Sequence, residues 1–205
     1  IIDSILIEKS SDIEVDNLWL PDVFGYSAAL PQILKKSGVN YFLTQKLSWS
    51  QYNEFPHHTF NWRGIDGSEV LTHFPPENTY NSELDTEFLI PAQKHFKEKA
   101  YLDEFISLFG VGNGGGGPKP ENIELGHRMS NLESSPKVKF DLARNFFKRL
   151  DKNKENLETW VGELYLELHR GTLTTHGLVK KQNRKLEIKL RNVEMLWSCL
   201  DIGLY

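Results

Sequence analysis

The chain has 205 residues, 39% hydrophobic, 25% charged and 12% aromatic, with a formal net charge of −4, which is the composition of a folded domain and not of a disordered one. Its mild acidity, with Lys and Arg dispersed, leaves no electrostatic footprint for nucleic acid or an anionic membrane, and no run approaches the ~20 apolar residues of a membrane span. A single cysteine, Cys199, excludes an intrachain disulfide and a cysteine-built zinc site, and fits a reducing, cytoplasmic compartment.

The chain opens on Ile1 and not on Met, so it is expected to be an excised or processed piece, and the absence of a charged-then-apolar leader is read with the cytoplasmic compartment. Residues 18–74 alternate short apolar runs with Gly, Pro and Asn punctuation, the pattern of an α/β fold. Residues 28–36 are predicted helical, with Leu30, Ile33 and Leu34 on one face, and 41–43 form a short buried strand. Residues 59–62 and 70–73 are expected to pair as a hairpin across Ile65, Asp66, Gly67 and Ser68.

Residues 78–85 are polar and turn-rich, and 88–105 read as helix interrupted at Pro91. An apolar strand over 105–111 then feeds GNGGGGPKP, a run of glycines suited to unusual backbone geometry. A helix over 121–132, a strand over 138–140 and a helix over 142–150 capped by Asp141 follow. From 172 to 200 the pattern becomes one long helix, with Leu186, Leu190, Val193, Trp197 and Leu200 at intervals of three and four, a stripe suited to a helical bundle. The coarse boundary falls near residue 165.

Four segments carry candidate chemistry. In WLPDVFGYS, residues 19–27, Asp22 follows a proline and precedes a Phe-Gly bend. A carboxylate at a strand's C-terminal end is where α/β folds place reacting groups, although a Pro-Asp pair alone also reads as a turn or a cap. The loop GVGNGGGGP, residues 110–118, lacks the Gly-Lys-Ser/Thr ending and the G-x-G-x-x-G placement of phosphate loops, and alone reads as a surface turn. Residues 162–177 carry Glu163, Glu167, His169 and His176; histidine beside carboxylates can bind zinc, and a solvated helix end is the alternative. His57 and His58 are read as flanking an edge strand.

In order, WLPDVFGYSAALPQILKKSGVNYFLTQKLSW, FPHHTFNWRGIDGSEVLTHFPPENTYNS, LFGVGNGGGGP and WVGELYLELHRGTLTT resemble the α-mannosidases of glycoside hydrolase family 38, in its cytosolic and bacterial branch. The resemblance implies the C-terminal part of a seven-stranded β/α barrel over residues 1–163, followed over 164–205 by the start of a three-helix bundle. It implies a zinc-dependent retaining hydrolase acting on mannose-containing oligosaccharides. Asp22 takes the place of the nucleophile, which is also a zinc ligand, and His169 that of a second zinc ligand. Phe24, Lys46 and Tyr80 are implied to line the sugar pocket. A homo-oligomer of the full-length protein is left open.

Two departures stand out. Where the family's glycine loop carries an aspartate as general acid/base, this chain has Asn113, and an amide neither donates nor accepts a catalytic proton. Two further zinc ligands come in the family from an early histidine–x–aspartate segment, and nothing in residues 1–18 resembles it. The isolated chain is therefore expected to be inactive and to bind zinc weakly. The alternative is a truncated, inactive relative retaining at most sugar binding.

Overall fold

The structure, a computed structural model, describes residues 15–112 and 116–202. The chain divides into two units, Ile1–Leu168 and His169–Tyr205. The first holds β1 (Asn17–Trp19), α1 (Leu30–Lys36), β2 (Tyr41–Leu43), β3 (Thr59–Arg63), β4 (Glu69–His73), α2 (Thr86–His95), α3 (Pro120–Arg128), α4 (Ala143–Leu150) and β5 (Thr159–Val161); the second holds α5 (Gly177–Ile202).

The five strands form one sheet in the order β1-β2-β4-β3-β5, a mixed α/β arrangement. Strands β1, β2 and β4 run parallel, while β3 pairs antiparallel with β4 and β5 runs parallel to β3. The three parallel strands therefore all end on the same side of the sheet. The loops after them can meet there.

Side chains alternate across the sheet, and both faces are covered. One face buries Phe42, Phe60, Trp62 and Val70 with Leu34 of α1 and Tyr26. The other buries Tyr41, Leu43 and Leu71 with Phe146, Phe147 and Leu150 of α4 and Phe96 after α2. Tyr41 and Phe147 stack with centroids 5.0 Å apart and planes 5° from parallel. Trp62, fully buried, packs against Phe42 with centroids 5.3 Å apart, and its Nε1–H donates to the Gly162 carbonyl at 2.7 Å. Trp62→Ala is expected to destabilise the first unit by about 3–5 kcal/mol, measured as a lower urea midpoint at unchanged slope. A loss below about 1 kcal/mol would show that neighbouring side chains refill the space.

Strand β2 and the β3–β4 hairpin lie where the sequence predicts them. Strand β3 is not at an edge, because β5, nearly a hundred residues later, pairs along its other side. His57 and His58 therefore lead into an interior strand. Residues 105–111 form no strand: only Ser82 and Phe109 bridge, and the Ile106 N–H goes to His73 Nε2 at 3.3 Å instead of a sheet partner. Residues 138–140 are likewise outside the sheet, and the Val138 N–H donates to the Met129 carbonyl. Helix α2 runs through Pro91 and stops at His95, ten residues short of the expected end. Asp85 caps it, accepting from the Glu87 and Phe88 N–H groups at 2.9 and 3.1 Å. Asp141 accepts the Leu142 N–H, but the helix starts at Ala143 with Leu142 at the cap position.

In the second unit, Leu186, Leu190, Val193, Trp197 and Leu200 of α5 are all exposed. Among the described residues no helix is long and apolar enough to cross a membrane.

Candidate active site

Strand β1 ends at Trp19, the chain passes Pro21, and the side chain of Asp22 stands 49% exposed. Strand β2 ends at Leu43 and runs into a 3₁₀ turn, Lys46–Trp49. From it Lys46 Nζ reaches Asp22 Oδ1 at 2.6 Å, with its side chain only 4% exposed. A buried ammonium is costly unless paired. Here the carboxylate pairs it, and the Trp49 and Phe24 rings wrap it, with centroids 3.4 and 5.2 Å from Nζ. Both rings keep exposed surface.

Tyr80 comes from the turn after β4. Burial first, then the charge of Asp22 and a hydrogen bond with it, raise the phenol's pKa. The structure thus brings Asp22, Phe24, Lys46 and Tyr80 together. Each of the three parallel strands contributes through the loop that follows it.

The local sequence accounts for this geometry. Gly25 has φ 101°, and a Cβ there would lie 3.2 Å from the Leu164 carbonyl, so a side chain would be both strained and crowded. Past it, Tyr26 and Leu164 exchange two backbone hydrogen bonds at 2.8 and 3.0 Å. The buried Tyr26 hydroxyl donates to the Leu20 carbonyl at 2.7 Å and pairs with the Thr44 hydroxyl. Burial pushes this phenol up to about 12, so it acts as a neutral strut joining the ends of β1 and β2 behind the Asp22–Lys46 pair. The buried Gln45 amide donates to the Asn78 carbonyl at 2.6 Å and to Ser48 Oγ at 2.7 Å, tying the Lys46 turn to the Tyr80 turn.

The glycine loop begins beside Tyr80. The Gly112 N–H donates to Asn81 Oδ1 at 2.8 Å, and a methyl group at 112 would collide with the Tyr80 ring. Asn113 lies outside the described residues. His169 opens the second unit with φ 53°, and its carbonyl accepts the Thr172 N–H at 2.9 Å.

Of the remaining candidates, Glu167 and His58 have structural roles. Glu167 accepts from the Tyr52 and Asn53 N–H groups and from Asn53 Nδ2, clamping that loop. His58 Nδ1 accepts the Lys97 N–H at 3.1 Å, and burial pushes this imidazole down to about 4, so it is neutral at physiological pH. Glu98 accepts the His58 and Thr59 N–H groups. Among the described residues no three His, Cys, Asp or Glu side chains converge on a metal-sized point.

Trp49, Tyr26 and Gln45 belong to the site without a motif that singles them out. The spacing Lys46-x-x-Trp49 held a signal, because residues three apart eclipse in a 3₁₀ turn. The contacts of Tyr26 and Gln45 cross from one strand loop to another and leave no local trace.

The model of the glycosyl hydrolases family 38 N-terminal domain matches residues 6–163. Alpha-mannosidase G of Dictyostelium discoideum is 45% identical over 195 residues, covering 95% of this chain and 18% of that protein. Alpha-mannosidase 2C1 of Homo sapiens is 48% identical over 180 residues, covering 88% and 17%. The alpha-mannosidase of Saccharomyces cerevisiae is 43% identical over 188 residues, covering 87% and 17%. The chain spans under a fifth of the length of these relatives. A crystal structure of an alpha-mannosidase from Enterococcus faecalis shares the fold, with a TM-score of 0.58 at 16% identity over 80% of this chain and 19% of that one.

Proposed function

Because the chain belongs to glycoside hydrolase family 38, we propose that it carries the nucleophile of a retaining α-mannosidase acting on terminal α-mannosides of mannose-containing oligosaccharides. The observation that supports this best is a half-exposed carboxylate, Asp22, fixed by a buried ammonium between two rings that keep exposed surface. Exposed aromatic faces suit the apolar side of a sugar.

In the proposed reaction an Asp22 oxygen attacks the anomeric carbon while the bond from that carbon to the glycosidic oxygen breaks. The leaving oxygen takes a proton from an acid, and a glycosyl ester remains on Asp22. Water then attacks the same carbon, a base takes its proton, and the Asp22 carboxylate is regenerated with net retention. Lys46 orients Asp22 through the 2.6 Å contact, and Tyr80 can hydrogen-bond a sugar hydroxyl or Asp22 itself. The family's acid/base position falls on Asn113, which can hydrogen-bond but not transfer a proton. That substitution favours a second reading, an inactive relative that retains sugar binding.

Zinc is part of the proposal at the level of the whole protein, with Asp22 and His169 as this chain's donors. Bound there, it would hold vicinal hydroxyls of the sugar as a Lewis acid. The described residues alone do not fit a four-donor zinc site, since no three donors converge. We also propose the cytoplasm as compartment, a β/α barrel over 1–163 completed by sequence outside the described strands, and a helical bundle beginning over 164–205.

The test is hydrolysis of an aryl α-mannoside by the full-length mannosidase that contains this chain, with the first-formed sugar anomer followed by NMR. α-Mannose is expected first, and turnover should cease on zinc chelation. β-Mannose first would remove Asp22 from the role of nucleophile. Mannose binding without turnover would select the second reading.

A further inference from the structure

Glu77 lies three residues before Tyr80 and has no part in the reaction described above. It follows Pro75 and Pro76, and its carboxyl meets two serine hydroxyls from different segments. Ser107 Oγ lies 2.9 and 2.8 Å from its two oxygens, and Ser82 Oγ lies 3.2 Å from Oε1. Around these contacts the two segments are stitched by backbone: the Ser82 N–H donates to the Leu108 carbonyl at 2.9 Å, and Ser82 bridges Phe109. Five residues past Ser107, Gly112 rests on Tyr80 and Asn81. Glu77 therefore sits at the root of the contact between the Tyr80 turn and the approach to the glycine loop.

We propose that Glu77 is a positioning residue whose carboxyl, accepting from Ser82 and Ser107, holds residues 107–112 against the Tyr80 turn and so sets the wall of the site facing Asp22. Both serine hydroxyls donate to its oxygens, and the Ser82 oxygen in turn accepts the Leu84 N–H at 3.0 Å. As an anion Glu77 would be largely buried among neutral hydroxyls, with the negative charge of Asp85 as its charged neighbour. Burial accordingly pushes this carboxyl up to about 7, with Asp85 adding to the rise and the two serine hydroxyls opposing it.

The sign follows from linkage. A carboxyl whose pKa is raised on folding contributes stability that is fully present below the ordinary carboxylate range and lost as pH rises through about 7. The tie should therefore loosen on the alkaline side of neutrality. Its catalytic consequence rests on the hydrolase reading above; its structural consequence does not.

The experiment is amide hydrogen exchange at Ser82 and Gly112 between pH 6 and pH 8, corrected for the intrinsic pH dependence of exchange, in the wild-type chain, Glu77→Gln and Ser107→Ala. Wild-type protection is expected to fall about tenfold by pH 8, the population factor one unit above a pKa of about 7. Glu77→Gln, an uncharged mimic of the neutral acid, should hold its protection across the range. Ser107→Ala should lower Gly112 protection at both ends. An identical pH response in wild type and Glu77→Gln, or full Gly112 protection in Ser107→Ala, overturns the proposal. In the full-length mannosidase the same titration should appear as an alkaline fall in kcat at steady KM, absent from Glu77→Gln. Exchange that follows Glu77 in a protein that hydrolyses no mannoside supports the positioning role and removes the hydrolase reading alone.

Discussion

Asp22→Asn is expected to lower kcat on an aryl α-mannoside by on the order of 10⁴-fold or more, since loss of the proposed covalent nucleophile removes a whole reaction path. The amide fills the same space and its oxygen can still accept from Lys46, so KM should change far less. The substitution also leaves the Lys46 ammonium, 4% exposed, without its counter-charge. Removing one partner of a buried pair destabilises more than removing both. Asp22→Asn combined with Lys46→Met should therefore regain stability, read by urea unfolding, without regaining activity. A single variant that loses less than about tenfold in kcat would place the nucleophile elsewhere.

Asn113→Asp is expected to raise turnover of mannosides with poor leaving groups by about 10²–10⁴-fold, the usual contribution of general acid–base catalysis. The gain should shrink in the first step for activated aryl mannosides, whose leaving oxygen needs no proton, and persist in hydrolysis of the glycosyl ester, where water needs a base. A new ionisation should appear in the pH–rate profile of the variant. Equal rates for the wild-type and Asn113→Asp proteins on an unactivated disaccharide, with Asp22→Asn still inactivating, would show that the acid/base group comes from another residue.

The parts of the fold that could be read in the sequence are those whose pattern is local. Strand β2 announces itself because both faces are buried and its three residues are all apolar or aromatic. The β3–β4 hairpin does so through the turn chemistry of Asp66 and Gly67. The interior position of β3 could not be read, because it depends on pairing with β5, across nearly a hundred residues. The supposed strand over 105–111 has the right composition, but a strand exists only where a partner accepts its ladder, and there Ile106 bonds to a histidine side chain instead.

The site divides in the same way. Asp22 alone reads as a turn residue, and its motif, not its spacing, singles it out. Its neighbours Phe24, Lys46 and Tyr80 come from the same ordered motifs, and in the structure they stand around it. The motifs contain the scaffold behind them without marking its role. Tyr26, Gln45 and Glu77 act through partners 18, 33 and 30 residues away in sequence, and each is an ordinary residue type whose burial is visible only in three dimensions.

The antiparallel pairing of β3 with β4 has a practical consequence. It sets the Asp66–Gly67 tip of their hairpin at the pole of the sheet opposite the ends of β1, β2 and β4. Gly67 has φ 85° with open space around it, and the adjoining Ile65 is 72% exposed. A fluorophore, an affinity peptide or a surface tether spliced in at that tip would be about a strand's length, ~17 Å, from the end of the sheet that carries Asp22 and Lys46. The hairpin tip is thus the place to anchor or report on this protein while leaving its chemistry unobstructed.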